Sequence, residues 1–456
     1  MEMDPQQRIP ELERRLAEAL QRIDELAAEN RQLRDQLEQA QKEAARQAAP
    51  FRRSENKKVP PEKRKRPGRK AGHPGVNRPV PEHIDETVTV PLAGCPQCQG
   101  PLRDVAERVQ YVEEIPVIRP QVTKIVTYTG YCPCCGDVES NHPLQTGRGS
   151  HASAVHLGPR ATALAALLNK HHGVTMRKTC RILRDGFGLK LSPGGLSQAL
   201  GRLADRCDAD YQQLLQDVRA GPAAYVDETS WWVGGPGQWL HVFTNANTTL
   251  YRVEGSRGSE VVNQTLTPDY QGVLVSDCLN IYDHGTPIAR KHKCIGHHQK
   301  KIREQLDSPG LDDPTYLHQW KKLFKLVCAL TSAKAILPPE RLAAAYQNFT
   351  READVLLTQP VTQNQDRHIQ NRLAKQRDYL FTCLSDPAVE ATNNRAERAL
   401  RPAVIARKVS CGNKTVRGKS TWERLASITT TFLQRGQDIL AHLARRASLS
   451  GTKIVG

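Results

Sequence analysis

Ala224-Tyr225-Val226-Asp227-Glu228-Thr229 and, further along, Gly272-Val273-Leu274-Val275-Ser276-Asp277 are the stretches whose reading decides the fold. Each is a short apolar run ending in an acid, the pattern of a buried strand that runs out at the rim of a sheet. Between them, Trp239 to Thr244 and Thr249 to Val253 read as two more strands joined by the turn Asn245-Ala246-Asn247, and Ser259 to Leu266 as a helix. Three strands, a helix and a fourth strand is the order of an RNase H-like sheet, in which strands one and four are neighbours. Asp227 and Asp277 then stand close enough to share a pair of hard cations, because two ions about 3.5 to 4 Å apart need several carboxylate oxygens. Acids at strand ends are also ordinary caps, so these two alone leave the site open.

The third acid is sought downstream. Asn393-Asn394-Arg395-Ala396-Glu397-Arg398-Ala399-Leu400-Arg401-Pro402 reads as a helix start with one acid among bases. Asn394 with Glu397 three residues on also fits a capping box. Against that, Arg395, Arg398, Arg401, Arg407 and Lys408 surround the acid, as a site gripping phosphates beside a metal ligand requires. The 119 residues between Asp277 and Glu397 are too many for a loop. Leu323 to Leu337 and Arg341 to Leu357 have helical spacing, which predicts a helical insertion at about 310–385. Cys294 and His297 are read either as ligands of a second metal or as a buried or phosphate-facing pair. Trp231, Trp232 and Trp239 either stack on an unpaired base or pack in the core.

Upstream, Leu12, Leu16, Ala19, Ile23, Leu26, Asn30, Leu33, Leu37, Ala40 and Ala44 recur in alternating steps of three and four. That seam predicts a coiled coil over 1–50. Asn30 at an a position favours two parallel strands, hence a homodimer or higher oligomer. A basic arm follows over 51–90. Within it Phe51 to Gly72 carries ten Lys or Arg against Glu55 and Glu62, with Arg64, Arg66, Arg69 and Lys70 as candidate phosphate or minor-groove contacts. Cys95-Pro96-Gln97-Cys98 and Cys132-Pro133-Cys134-Cys135 are two CxxC knuckles. They predict a zinc ribbon over 91–145 in which Cys95, Cys98, Cys132 and Cys135 hold one structural Zn2+, with Cys134 able to replace Cys135 and with strands in Tyr111 to Thr129. Residues 150–215 read as helices separated by glycine turns, either a helix-turn-helix presenting Ser197, Gln198 and Arg202 to DNA or an ordinary helical bundle.

The 456 residues carry 65 Lys plus Arg against 48 Asp plus Glu, a net +17, and so large an excess points to a polyanion. The longest largely apolar run, around Ala161 to Leu168, is far too short to span a bilayer, and no export signal is evident after Glu2. The expectation is a multidomain α/β protein of the cytoplasm, associated with the nucleoid and with no membrane partner. Its twelve cysteines are then reduced thiols or metal ligands.

Taken together, Asp227 in Tyr-Val-Asp-Glu-Thr, Asp277 in Val-Ser-Asp, Cys294-Ile295-Gly296-His297, the Asn393 to Pro402 segment and the upstream order of zipper, basic arm and paired CxxC motifs resemble the DDE transposases of the insertion-sequence family numbered sixty-six. The resemblance implies that Asp227, Asp277 and Glu397 are the metal-binding acids, that two Mg2+ are the working ions, and that the substrate is double-stranded DNA at the element's terminal inverted repeats and at the target. It implies a catalytic domain over 220–415 and leaves 416–456, a helical tail, without a role. The sequence departs from the family at His297-His298-Gln299-Lys300-Lys301, where an Arg pair usually follows the His closely. Two other classes compete: a zinc-ribbon DNA-binding regulator without chemistry, and a structure-specific nuclease that does not join strands.

Overall fold

A computed structural model describes residues 78–140 and 155–448 apart from position 284, with a few scattered positions within 21–33, 72–75 and 142–144. The described positions within 21–33 are helical and exposed, while the rest of the heptad seam lies outside the described residues. So does the stretch holding Arg64, Arg66, Arg69 and Lys70.

The chain forms two compact units, one of residues 51–119 and one of all the rest. In the smaller, the described residues make no regular strand or helix. The first CxxC turns tightly there, Cys95 N–H donating to Gly100 O at 3.0 Å and Gln99 N–H to Cys95 O at 2.8 Å. In the larger unit, β1 (Thr129–Cys132) and β2 (Gly136–Glu139) form an antiparallel hairpin. Cys134 and Cys135 lie in its turn, which Gly136 completes at φ +75°. The strands expected from Tyr111 to Thr129 are therefore absent apart from the start of β1: Val117, Val122 and Val126 are exposed. β-branched residues favour a strand only where a partner and a buried face exist.

The rest of the larger unit is built round one sheet. Between the hairpin and this sheet the described residues form the α-helices α1 (Pro159–Ala166), continued by a π-helical turn over Leu167–His171, α2 (Met176–Phe187), α3 (Pro193–Arg206) and α4 (Asp208–Arg219). Ser192 caps α3 by accepting from Gly195 N–H, with Pro193 in the first turn. Then come β3 (Ala223–Trp231), β4 (Gln238–Thr244), β5 (Thr249–Glu254), α5 (Ser259–Leu266), β6 (Val273–Ser276) and β7 (Lys291–Lys293). The strand order is β5-β4-β3-β6-β7, with the first three antiparallel and the last three parallel. Helices follow: α6 (Ile295–Leu306), α7 (Thr315–Ala333), α8 (Pro339–Thr358), α9 (Asn364–Ala374), α10 (Thr382–Ser385), α11 (Asn394–Ser410), α12 (Val416–Gln434) and α13 (Ile439–Ser448). The long interval before Glu397 is thus helical.

Strand alternation sorts the sheet into two faces. Ala223, Tyr225, Val273 and Val275 pack with Ile295, Trp320, Phe324, Leu400 and Ala403 from α6, α7 and α11. Ala224, Val226, Phe243 and Leu274 face the other way, onto Leu196, Leu200, Leu214 and Val262 from α3, α4 and α5 and onto Leu425 and Ile439. The early helices therefore share a core with the sheet rather than forming a body of their own. Nor are residues 416–448 a tail apart from the core, because α12 covers the edge strand β5. Thr249 N–H donates to Thr431 Oγ1 at 3.0 Å, Tyr251 N–H to Ser427 Oγ at 2.9 Å, and Val253 N–H to the Glu423 carboxylate. Steps of two along a strand and four along a helix are both about 6 to 7 Å, so the two rows match.

Candidate active site

Asp227 does not end its strand as expected: β3 runs on to Trp231 because β4 pairs with it that far, so the acid lies mid-strand and, by alternation, on the face shared with Tyr225 and Trp231. The parallel pairing of β3 with β6 runs Ala223↔Val273 to Tyr225↔Val275. Continued two residues, that register sets Asp227 level with Asp277, just past the end of β6. Asp277 Oδ1 accepts Leu279 N–H at 3.0 Å, and Asp227 Oδ1 accepts Glu228 N–H at 2.9 Å. Glu397 comes from the first turn of α11. No side chain caps that helix, and Asn394 is already its first residue, so the capping box does not form. Its absence leaves the Glu397 carboxylate half exposed, with Oε1 3.9 Å from His297 Nε2 on α6.

Asp227 feels the charge of both other acids. Burial raises the Asp227 carboxyl to about 7, helped by the negative charges of Glu228, Asp277 and Glu397. Asp277 is also raised, first by burial and then by Glu228, with His297 and Lys293 pulling it back. Among the described residues no three His, Cys, Asp or Glu side chains are gathered tightly enough to hold a metal as they stand. The chemistry of the three side chains suits a hard divalent cation: their donors are carboxylate oxygens only, and Asp227 carries the like charge of its neighbours.

Glu228, the next residue on β3, is a member of this neighbourhood that the sequence reading did not single out. Its side chain is 2% exposed and is held by Arg257 at 2.8 Å and by the Tyr282 hydroxyl. Lys293, fully buried at the end of β7, pairs with Asp283 at 2.5 Å and donates to Ser276 Oγ at 3.1 Å and Asp277 O at 3.3 Å. Alternation puts Glu228 on the opposite face of β3 from Asp227, and nothing local ties Arg257 or Tyr282 to it. Cys294 is buried, its Sγ accepting Asn393 N–H at 3.1 Å. Trp231 is core, packed on Trp422 with ring centroids 4.8 Å apart.

The basic residues of α11 divide. Arg398, Arg401 and Lys408 are exposed, and Glu397, Arg401 and Lys408 follow one another along one helical face. Arg395 instead pairs with Glu390 and lies 5.3 Å over the Tyr225 ring. Arg407 binds Thr229 Oγ1 and Ser230 O, each at 2.6 Å, and so ties α11 to β3. In the possible helix-turn-helix, Ser197 and Gln198 are exposed on α3 and Arg202 is partly covered.

In each CxxC the first sulfur is surrounded by backbone donors. N–H groups of Cys98 and Gln97 lower the Cys95 thiol, and those of Cys134 and Cys135 lower Cys132. Donors of this kind favour the thiolate that binds a metal.

A mixed five-stranded sheet with an acid in the middle of its central strand, a second just past the end of the neighbouring parallel strand and a third in the first turn of a following helix defines the class of α/β protein to which this chain belongs. Residues 155–421 match the family model described as Transposase IS66 family. That match spans more than half of the chain, and the chain belongs to this family of transposases. It is also similar to the uncharacterized protein y4qI of Sinorhizobium fredii (strain NBRC 101917 / NGR234), 23% identical over 304 residues. The aligned part is 59% of this chain and 55% of that relative, so the chain spans about half the relative's length. Among the described residues no helix is long and apolar enough to cross a membrane.

Proposed function

We propose that this transposase-family chain binds the terminal inverted repeats of an insertion sequence and both cleaves and joins DNA strands there. Asp227, Asp277 and Glu397 are the acids of an RNase H-like core. The strand order and the mixture of antiparallel and parallel pairing support that fold. The observation that carries the reading is the raised Asp227 carboxyl, which feels Asp277 and Glu397 although they lie on separate elements far apart in sequence. Two Mg2+ bound by these carboxylates would activate water or a 3′-hydroxyl in line with the scissile phosphate. Around them, Arg398, Arg401 and Lys408 grip phosphates. Glu228 stays locked to Arg257 and Tyr282, beside the metal-binding acids rather than among them. Dimerisation through the heptad seam belongs to the same proposal and is checked by sedimentation of the full chain.

The test is strand transfer with the purified chain, Mg2+ and a labelled end fragment. Asp227→Ala, Asp277→Ala and Glu397→Ala should each reduce cleavage and joining to background while end binding survives. Joining near wild type in any one of them overturns the three-acid assignment. Cleaved ends without joined products would instead mark a nuclease, and no chemistry in the wild type a DNA-binding regulator.

A structural Zn2+ held by Cys95, Cys98, Cys132 and Cys135 is part of the proposal, supported by the donor-rich turn of each pair by itself. Metal analysis should find one zinc per chain, lost on Cys95→Ser. Protein purified without chelator and free of zinc would refute it.

A further inference from the structure

Metal-binding groups work only when held within about 0.5 Å of the productive arrangement, and here the three acids come from the middle of one strand, the end of another and one helix. The β3–β6 ladder sets Asp227 against Asp277 but stops at Tyr225↔Val275. It does nothing for Glu397. Where the ladder ends, Asn393 takes over. This residue is fully buried and immediately precedes α11. Its Nδ2 donates to Val226 O at 2.9 Å, the carbonyl just before Asp227. Its backbone N–H donates to Cys294 Sγ at 3.1 Å, and its backbone O accepts Glu397 N–H at 3.2 Å. Cys294 N–H in turn donates to Ser276 O at 3.0 Å, the carbonyl just before Asp277. The bonds form a closed circuit in which each acid is one residue, or one helical turn, from a fixed point.

From this circuit we propose that Asn393 and Cys294 are positioning residues that set the mutual register of Asp227, Asp277 and Glu397; the inference rests on the three-acid reading above. Asn393 Oδ1 has no partner among the described residues, so the side chain is held for its donor, which an apolar residue of similar size lacks. Cys294 supplies an acceptor at a depth where a hydroxyl can replace it and a methyl cannot. Neither side chain touches substrate. Their effect is on how well the carboxylates converge on a cation.

The experiment measures Mn2+ binding to the full chain by titration of free Mn2+, beside the melting temperature of the metal-free protein. Asn393→Leu fills the space without a donor and should weaken Mn2+ binding about tenfold or more, the usual cost of losing an outer partner of a metal site. Cys294→Ala should do the same, and Cys294→Ser should restore most of the affinity. A purely structural role would lower the melting temperature and leave Mn2+ affinity of the folded protein unchanged, and that result overturns the proposal. Equal affinity in Cys294→Ala and Cys294→Ser overturns it as well, and decides the matter should Asn393→Leu not fold. Asp227→Asn is run in parallel. If it loses Mn2+ while Asn393→Leu keeps it, positioning alone is wrong. If Asp227→Asn also binds like wild type, the three-acid reading falls and this inference with it.

Discussion

Glu423 carries another raised carboxyl, and its burden is simpler than that of Asp227. Buried on α12, it accepts Val253 N–H, and burial lifts it to about 7 from the ordinary 4.5, against the pull of Lys419. The folded chain therefore binds this proton more tightly than the unfolded chain does. Between pH 4.5 and 7 stability falls as pH rises, by at most about 1.4 kcal/mol per unit from this group, and is flat outside that window. Glu423→Gln keeps an oxygen for Val253 N–H and removes the charge. It should raise stability at pH 8 by on the order of 1 kcal/mol and flatten the slope in that window. Urea unfolding at pH 5 and pH 8 checks this, and an unchanged slope would locate the proton elsewhere. Glu397 had a local alternative that the sequence could not exclude. Asn394 and Glu397 have capping-box spacing, but the helix begins one residue too early for it, and the carboxylate faces His297 instead.

Elements were legible where local pattern and tertiary environment agree. The runs around Tyr225 and Leu274 are apolar on both faces because helices cover both sides of the sheet. The Pro-capped start of α3 and the helices before Glu397 were equally plain. Tyr111 to Thr129 has similar β-branched content yet builds no strand before Thr129, since its valines find no buried face. The row Glu423, Ser427, Thr431 went unread for the opposite reason. Polar residues four apart look like a solvated helix face, and only the edge of β5 gives them N–H groups to accept. Covering that edge closes β5 to pairing with another chain.

For the whole molecule the net charge of +17 is the broadest handle. On α11, Arg398, Arg401 and Lys408 are the exposed share of the cluster near Glu397, while Arg395 and Arg407 are engaged with the protein. If each exposed cation neutralises one phosphate, replacing all three with alanine should lower the slope of log K against log salt by about 2.7. A salt titration of end-fragment binding measures it; an unchanged slope would place the DNA contacts on other surfaces.

The amino-acid order by itself determined the strand succession, the acid just past the end of β6, the paired CxxC motifs and the helical character of the long interval before Glu397. Those features follow from side-chain periodicity and backbone preference within a few residues. Tertiary structure alone decided that Asn393 and Cys294 bind the carbonyls beside Asp227 and Asp277, that Glu228 is locked by Arg257 and Tyr282, and that α12 seals β5. Each is a hydrogen bond between residues distant in the chain. Such bonds are specified by where packed elements end, and no local pattern carries that information.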